Sequence, residues 1–204
     1  MKFLLALKQD MLQVFDDRGA VSPVTSVLAG PVVVTQIKTK SKDGYDAIQV
    51  AFGETKQARV SKSVQGHAKN LGNFRFFREI PATSELVATV KVGDKLDAGV
   101  FAKGDKVTVS GTSRGKGFQG AVKRHGFAGG SRTHGQKHSE REVGSIGGGL
   151  RTRVPKGMRM AGRMGGDRVT VKNLTIIDVN PATNTLLIKG ALPGVKGSLL
   201  EVIA

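Results

Sequence analysis

The chain is 204 residues long, with 32 Lys and Arg against 16 Asp and Glu, a net charge of +16 and no cysteine. That length fits one domain or two small lobes, and a potential of that size gathers polyanions, either nucleic acid or an anionic membrane surface. The absence of cysteine excludes a disulfide framework, a thiolate metal site and a cysteine nucleophile, in keeping with a reducing compartment.

At the start, the apolar run Phe3 to Leu7 is cut off by Lys8 and Asp10. It is too short for a signal-peptide core or a bilayer span, so a cytosolic protein without membrane contact is expected. Phe3 to Lys8 and Met11 to Phe15 are short strand candidates, and Asp16-Asp17-Arg18-Gly19 supplies the turn of a hairpin into Val24 to Leu28. Gly30-Pro31 marks a break. Val32 to Ile37 and Tyr45 to Phe52 then form a second hairpin candidate across Ser41-Lys42-Asp43-Gly44, continuing a meander. A short helix is expected within Ser61 to Asn70, ended near Gly72, and a strand over Phe74 to Ile80 stopped by Pro81. Gly93-Asp94 and Gly104-Asp105 each place a turn before a strand. At the far end, Val169 to Val179, Leu186 to Lys189 and Leu199 to Ile203 return to the strand pattern. Strands on both sides of the middle, with no alternation of strand and helix, predict a mainly β protein. The fold class is a closed antiparallel β-barrel with minor helices, its globular domain built from residues 1–110 together with 169–204.

The middle, residues 111–168, breaks this pattern. Its 58 positions hold thirteen bases (Arg114, Lys116, Lys123, Arg124, Arg132, Lys137, Arg141, Arg151, Arg153, Lys156, Arg159, Arg163, Arg168) against three acids, Glu140, Glu142 and Asp167. Sixteen of the 28 glycines lie there as well. Like charge at this density repels itself and glycine loses entropy on ordering, so the segment is expected to project from the barrel as a long loop that takes its shape around a polyanion. A solvated tail would be terminal and lysine-rich, whereas this run is internal, arginine-rich and returns into an apolar strand.

Several motifs in the loop are open to other readings. Gly115-Lys116-Gly117-Phe118-Gln119-Gly120 fits the dinucleotide fingerprint, with the strand candidate Val107 to Ser110 before it and the helix candidate Ala121 to His125 after it. No second strand with a ribose-binding acid follows. Gly115, Gly117 and Gly120, like Gly147, Gly148 and Gly149, are instead assigned to close approach of the backbone to RNA phosphates. A Gly-rich-loop nucleotide enzyme stays as one alternative, and a free RNA chaperone as another. His134 and His138 are four apart, as zinc pairs on a helix often are, but Gly135 weakens a helix and no nearby carboxylate pair completes a tetrahedral site, so no metal or cofactor is expected. With His125 they are assigned to stacking on bases or donation to phosphate. Glu140 and Glu142, flanked by Arg141 and Lys137, are expected to be intramolecular ion-pair partners and not a catalytic dyad, and no small-molecule substrate is implied. With no Trp and one Tyr, an aromatic platform for single strands is not expected, and the glycines break any long DNA-reading helix. Folded RNA, held through backbone and shape, remains.

The run Gly111-Thr112-Ser113-Arg114-Gly115-Lys116-Gly117-Phe118-Gln119-Gly120, continued by Val122-Lys123-Arg124-His125-Gly126-Phe127, resembles the signature of the bacterial large-subunit ribosomal protein L3 family. Thr133-His134-Gly135, Gly144-Ser145-Ile146-Gly147, Met160-Ala161-Gly162-Arg163-Met164-Gly165, Arg168-Val169-Thr170-Val171 and Leu187 to Gly194 follow in the family's order, and Asp43-Gly44-Tyr45 with Ala47-Ile48-Gln49-Val50 is similar to its amino-terminal half. The resemblance implies a barrel related to those of translation factors, with a long extension reaching through ribosomal RNA toward the peptidyl transferase centre. It also implies early binding of large-subunit ribosomal RNA, a part in nucleating assembly, contacts with neighbouring ribosomal proteins, and a cytoplasmic place on the ribosome. Two departures stand out. Many members carry a methylated glutamine after Gly-Ser-Ile-Gly where this chain has Gly148, so no methylglutamine is expected here. Val154-Pro155-Lys156-Gly157 also differs from the usual pattern.

Overall fold

In the computed structural model, residues 2–15, 19–69, 71–149 and 152–204 are described. The chain divides into two compact units, one of Met1–Gly111 with Val169–Ala204 and the other of Thr112–Arg168.

The first unit is a closed six-stranded barrel joined by a four-stranded sheet. The barrel strands are β1 (Phe3–Phe15), β2 (Val21–Ala29), β7 (Lys106–Thr112), β10 (Arg168–Asn180), β11 (Thr185–Lys189) and β12 (Leu199–Ile203), in the spatial order β1-β12-β7-β10-β11-β2. The sheet orders β5 (Phe74–Pro81), β4 (Ala47–Glu54), β3 (Val32–Lys38) and β6 (Lys95–Leu96) side by side. Every strand pair resolved in register is antiparallel, for example Leu4 opposite Val202 and Leu186 opposite Val27. The expected mainly β class with a closed barrel is thus the observed one.

Leu4, Leu5 and Ala6 are consecutive and all fully buried, which a strand with one wet face does not allow. Their cluster includes Val27, Ile176, Leu186, Ile188, Leu200 and Val202 from the barrel and Val32, Val34, Val50, Phe52 and Ile80 from the sheet, so both sheets share one core. At roughly 25 cal/mol per Å² of apolar surface removed from water, that core dominates the stability of the unit. Gly111 packs against the edge of it, where a Cβ would stand 2.6 Å from Leu200 Cδ2 and 3.2 Å from Pro193 Cγ. A small residue there is a packing requirement.

Several expectations are adjusted. The two short strands expected at the start are one strand, β1, with a bulge between Lys8 and Met11 that lets it pass Gln9 and Asp10. Most of the turn expected at Asp16 to Gly19 lies outside the described residues. Between β3 and β4 the turn contains a one-turn helix, α1 (Lys40–Asp43), closed by Gly44 in the left-handed region, φ +85°. The helix expected in residues 61–70 is α2 (Lys62–His67), which ends before Gly72, and a further helix, α3 (Ser84–Thr89), follows β5. In place of one continuous meander, β3, β4 and β5 form their own sheet.

A polar tie spans that sheet. Glu79 on β5 accepts from Lys38 Nζ on β3 at 2.7 Å, from Tyr45 Oη at 2.8 Å and from Gln49 Nε2 on β4 at 3.3 Å. Buried Gln49 is held in turn by Thr35 Oγ1 at 2.9 Å and by His67 Nε2 at 2.6 Å.

Candidate nucleic-acid interface

The second unit opens with a neck. Ser113 N–H donates to the Asp167 carbonyl at 2.8 Å, Gly166 N–H to the Ser113 carbonyl at 3.2 Å, and Lys116 N–H to the Met164 carbonyl at 2.9 Å. The two segments then pair as β8 (Phe118–Gln119) and β9 (Gly162–Arg163), with Phe118 opposite Arg163. Beyond β8 comes α4 (Ala121–His125), whose Lys123, Arg124 and His125 lie in the last turn, where the helix dipole favours cations. Gly126, at φ +72°, ends it with a left-handed cap. The G-x-G-x-x-G run therefore comprises an irregular stretch (Gly115–Gly117), the two-residue strand β8 and Gly120, the residue that precedes α4.

This arrangement gathers five of the expected RNA-binding residues. Arg114 and Lys116 from the neck, Arg124 and His125 from α4, and Arg163 from β9 line one open cleft of about 500 Å³, together with Ser113, Met164, Gly165 and Asp167. Arg124 and His125 are fixed from behind, since Arg124 Nη1 donates to the Met160 carbonyl at 2.8 Å and His125 Nε2 lies 3.1 Å from the same oxygen. Arg has five N–H groups in a rigid fork, so one internal bond aims the rest without exhausting them. A cluster of cations on an ordered backbone, with a carboxylate at one edge, is suited to bidentate grip on phosphate.

The other candidates are spread along the loop. Lys123, Arg132, His134, Lys137, His138, Arg141, Arg153, Lys156 and Arg159 are all exposed, Arg168 is the exposed first residue of β10, and Arg151 lies outside the described residues. Arg159 lies over the Phe127 ring at 5.3 Å, and His125 packs beside the same ring at 5.9 Å. Glu140 meets Arg132 at 3.9 Å, an ion pair within the loop. Among the described residues no group of three or more His, Asp or Glu gathers in a geometry for a metal ion.

The glycines fall into two classes that composition does not separate. Gly115, Gly117, Gly120, Gly147, Gly148 and Gly149 face open space, where a Cβ would meet nothing within 4 Å. Gly129 and Gly165 are packed inward, so that a Cβ would fall on the carbonyls of Glu140 and Arg114. The first class leaves backbone accessible; the second builds the unit itself. One surface residue escaped the sequence reading. Phe118 is 76% exposed, and its signal was local: an aromatic set between Gly117 and Gln119, with no apolar neighbours to form a core around it.

The sequence model of the family described as Ribosomal protein L3 matches residues 80–191. A protein of Herpetosiphon aurantiacus named "Large ribosomal subunit protein uL3" is 50% identical over 201 residues, which cover 98% of this chain and 94% of that protein. Its namesake in Heliobacterium modesticaldum is 48% identical over 203 residues, 98% of this chain and 95% of that one. In Chlorobaculum tepidum the protein of the same name is 44% identical over 203 residues, 98% and 97% of the two chains. Similarity at this level along almost the whole length leaves one assignment: the chain belongs to the ribosomal protein L3 family.

Proposed function

We propose that this chain is a structural constituent of the large ribosomal subunit and acts without catalysis, in the cytoplasm. Residues 1–110 with 169–204 serve as the globular domain, and residues 111–168 as an extension that enters large-subunit ribosomal RNA and runs toward the peptidyl transferase centre. The chain also helps nucleate subunit assembly and touches neighbouring ribosomal proteins. The observation that carries this reading is the convergence of Arg114, Lys116, Arg124, His125 and Arg163 on one cleft in a chain of this family. Exposed Arg132, Arg141, Arg153, Lys156 and Arg159 add phosphate contacts further along, the open glycines admit RNA backbone, and Phe118 offers a face for one unstacked base.

The test is salt-dependent binding to a large-subunit RNA fragment. Changing Arg114, Arg124 and Arg163 together to Gln removes three cations from the cleft. The log–log slope of affinity against salt is then expected to flatten by roughly 2 to 3, at about 0.7 to 0.9 per lost phosphate contact. A slope equal to that of the unaltered protein removes the cleft from the interface.

A further inference from the structure

The first unit carries its own excess charge, and all of it lies in one place. Its nineteen Lys and Arg and thirteen Asp and Glu give +6, while residues 55–78 contain six cations (Lys56, Arg59, Lys62, Lys69, Arg75, Arg78) and no acid. The rest of the unit is balanced, with thirteen of each sign. A surface charged only for solubility intersperses both signs, as that remainder does. We propose that residues 55–69 and 71–75 form a second RNA-binding surface, separate in residues from the extension and directed at the phosphate backbone; the class of ligand rests on the RNA reading above.

The fold turns this stretch into a shaped site. After β4 the chain makes a 3-10 turn (Gln57–Arg59) and enters α2, and Gln65 Nε2 holds the two together by donating to the Val60 carbonyl at 2.8 Å and the Gln57 carbonyl at 3.2 Å. Thr55 N–H donates to the Asn73 carbonyl at 2.9 Å, which brings the strand β5 alongside. Arg59 and Arg75 thereby line one open cleft of about 750 Å³, with Thr55 and Ser61 hydroxyls, Val60 and Val64, the rings of Phe74 and Phe77, and Glu54 at its edge. Lys56, Arg59, Lys62, Lys69 and Arg75 are all exposed, and the carboxylate partner of Arg78 is Glu201, at 3.2 Å. Two guanidinium forks and hydroxyl groups, with partly buried Phe77 beside them, suit a phosphodiester better than a lipid surface, which needs an exposed apolar face.

Lys69 adds an independent observation. It follows α2 at φ +47°, with its N–H on the Gly66 carbonyl at 3.3 Å, a helix-ending position where glycine sits without strain. The chain holds a lysine there at a cost in stability, and what the lysine adds is an exposed cation beside the cleft's own helix.

Binding of the full chain to a large-subunit RNA transcript, with hydroxyl-radical footprinting, tests the proposal. Arg59→Gln, Lys62→Gln and Arg75→Gln together are expected to flatten the salt slope by roughly 2 to 3 and to remove one protected patch, leaving the patch that depends on Arg114, Arg124 and Arg163. Lys69→Gly is expected to raise the Tm while lowering RNA affinity, opposite signs that a folding defect cannot produce. If the triple variant keeps the unaltered slope and footprint while the extension variant loses both, this surface is not an RNA site and the earlier reading stands. If neither set of changes alters binding, both readings fail. A crosslinker at position 62 that captures RNA in native particles supports the proposal, and one that captures only protein, or binding confined to anionic vesicles, overturns it.

Discussion

Gly165 and Gly117 are both glycines at positive φ in the second unit, +77° and +69°, yet they answer to different physics. A methyl group at Gly117 meets open space and adds only the strain of a left-handed L-residue, about 1 to 2 kcal/mol. At Gly165 it meets the Arg114 carbonyl as well, in the neck where Lys116 and Met164 exchange backbone bonds with their opposite strand. Gly165→Ala is therefore expected to abolish hydrogen-exchange protection of the Lys116 and Met164 amides, and Gly117→Ala to reduce it only modestly; equal protection in the two variants would contradict the packed role. This distinction could not be read in the sequence. Net charge is a sum over residues, so the basic loop was visible in composition alone. Which cations converge, which glycines are packed and that Phe118 stands exposed depend on the pairing of residues 113–119 with 162–167, contacts some fifty residues apart whose register no local pattern encodes.

At the scale of elements, β3 and β5 are joined across β4 by the Lys38–Glu79–Tyr45 tie, and its charges give the sheet a pH signature. Hydrogen bonds from Lys38 and then Tyr45 hold the Glu79 carboxyl below its ordinary range, and hydrogen bonds with Glu79 and then Tyr45 raise the Lys38 ammonium above its own. A depressed carboxyl adds stability that is present above its unfolded pKa, about 4.3, and lost as pH falls through the lower folded value; the raised ammonium adds stability that persists below about 10.4 and is lost only at higher pH. The Tm advantage of the unaltered protein over Glu79→Gln is thus expected to hold from pH 8 to 5 and to shrink progressively on acidification below about 4. Because the tie is partly exposed, the gap is small and shrinks with added salt. An unchanged gap at pH 3 would assign the tie to packing. Most strands were legible because apolar alternation and Gly-Asp turns are local signals. β1 looked like two strands because Gln9-Asp10 interrupts its apolar pattern, and a bulge absorbs such an interruption only when a partner, here β2, continues on both sides. Nor did any strong cap or periodicity announce α3.

For the whole molecule, the decisive fact is that the basic loop leaves and rejoins a barrel at adjacent points. Replacing residues 114–166 with an Asn-Gly turn between Ser113 and Asp167 keeps β7 and β10, and a shorter closed loop has slightly lower entropic cost. The net charge falls from +16 to +6. The expected outcome is a folded barrel with a Tm within a few degrees of the parent, read by calorimetry, and RNA affinity reduced but still salt-dependent through Lys56 to Arg75; a shortened chain that does not fold would show that the loop is part of the core. The order of the barrel carries a consequence in time as well. Its first strand, β1, pairs with its last, β12, while residues 112–168 lie between them in the chain. During synthesis the cationic loop therefore emerges before the strand that seals the barrel exists, and Leu4, Leu5 and Ala6 wait for partners nearly two hundred residues away. The nascent protein passes through a window in which its polyanion-seeking segment is already free and its core is still open, so the order of birth favours capture of the loop before closure of the fold.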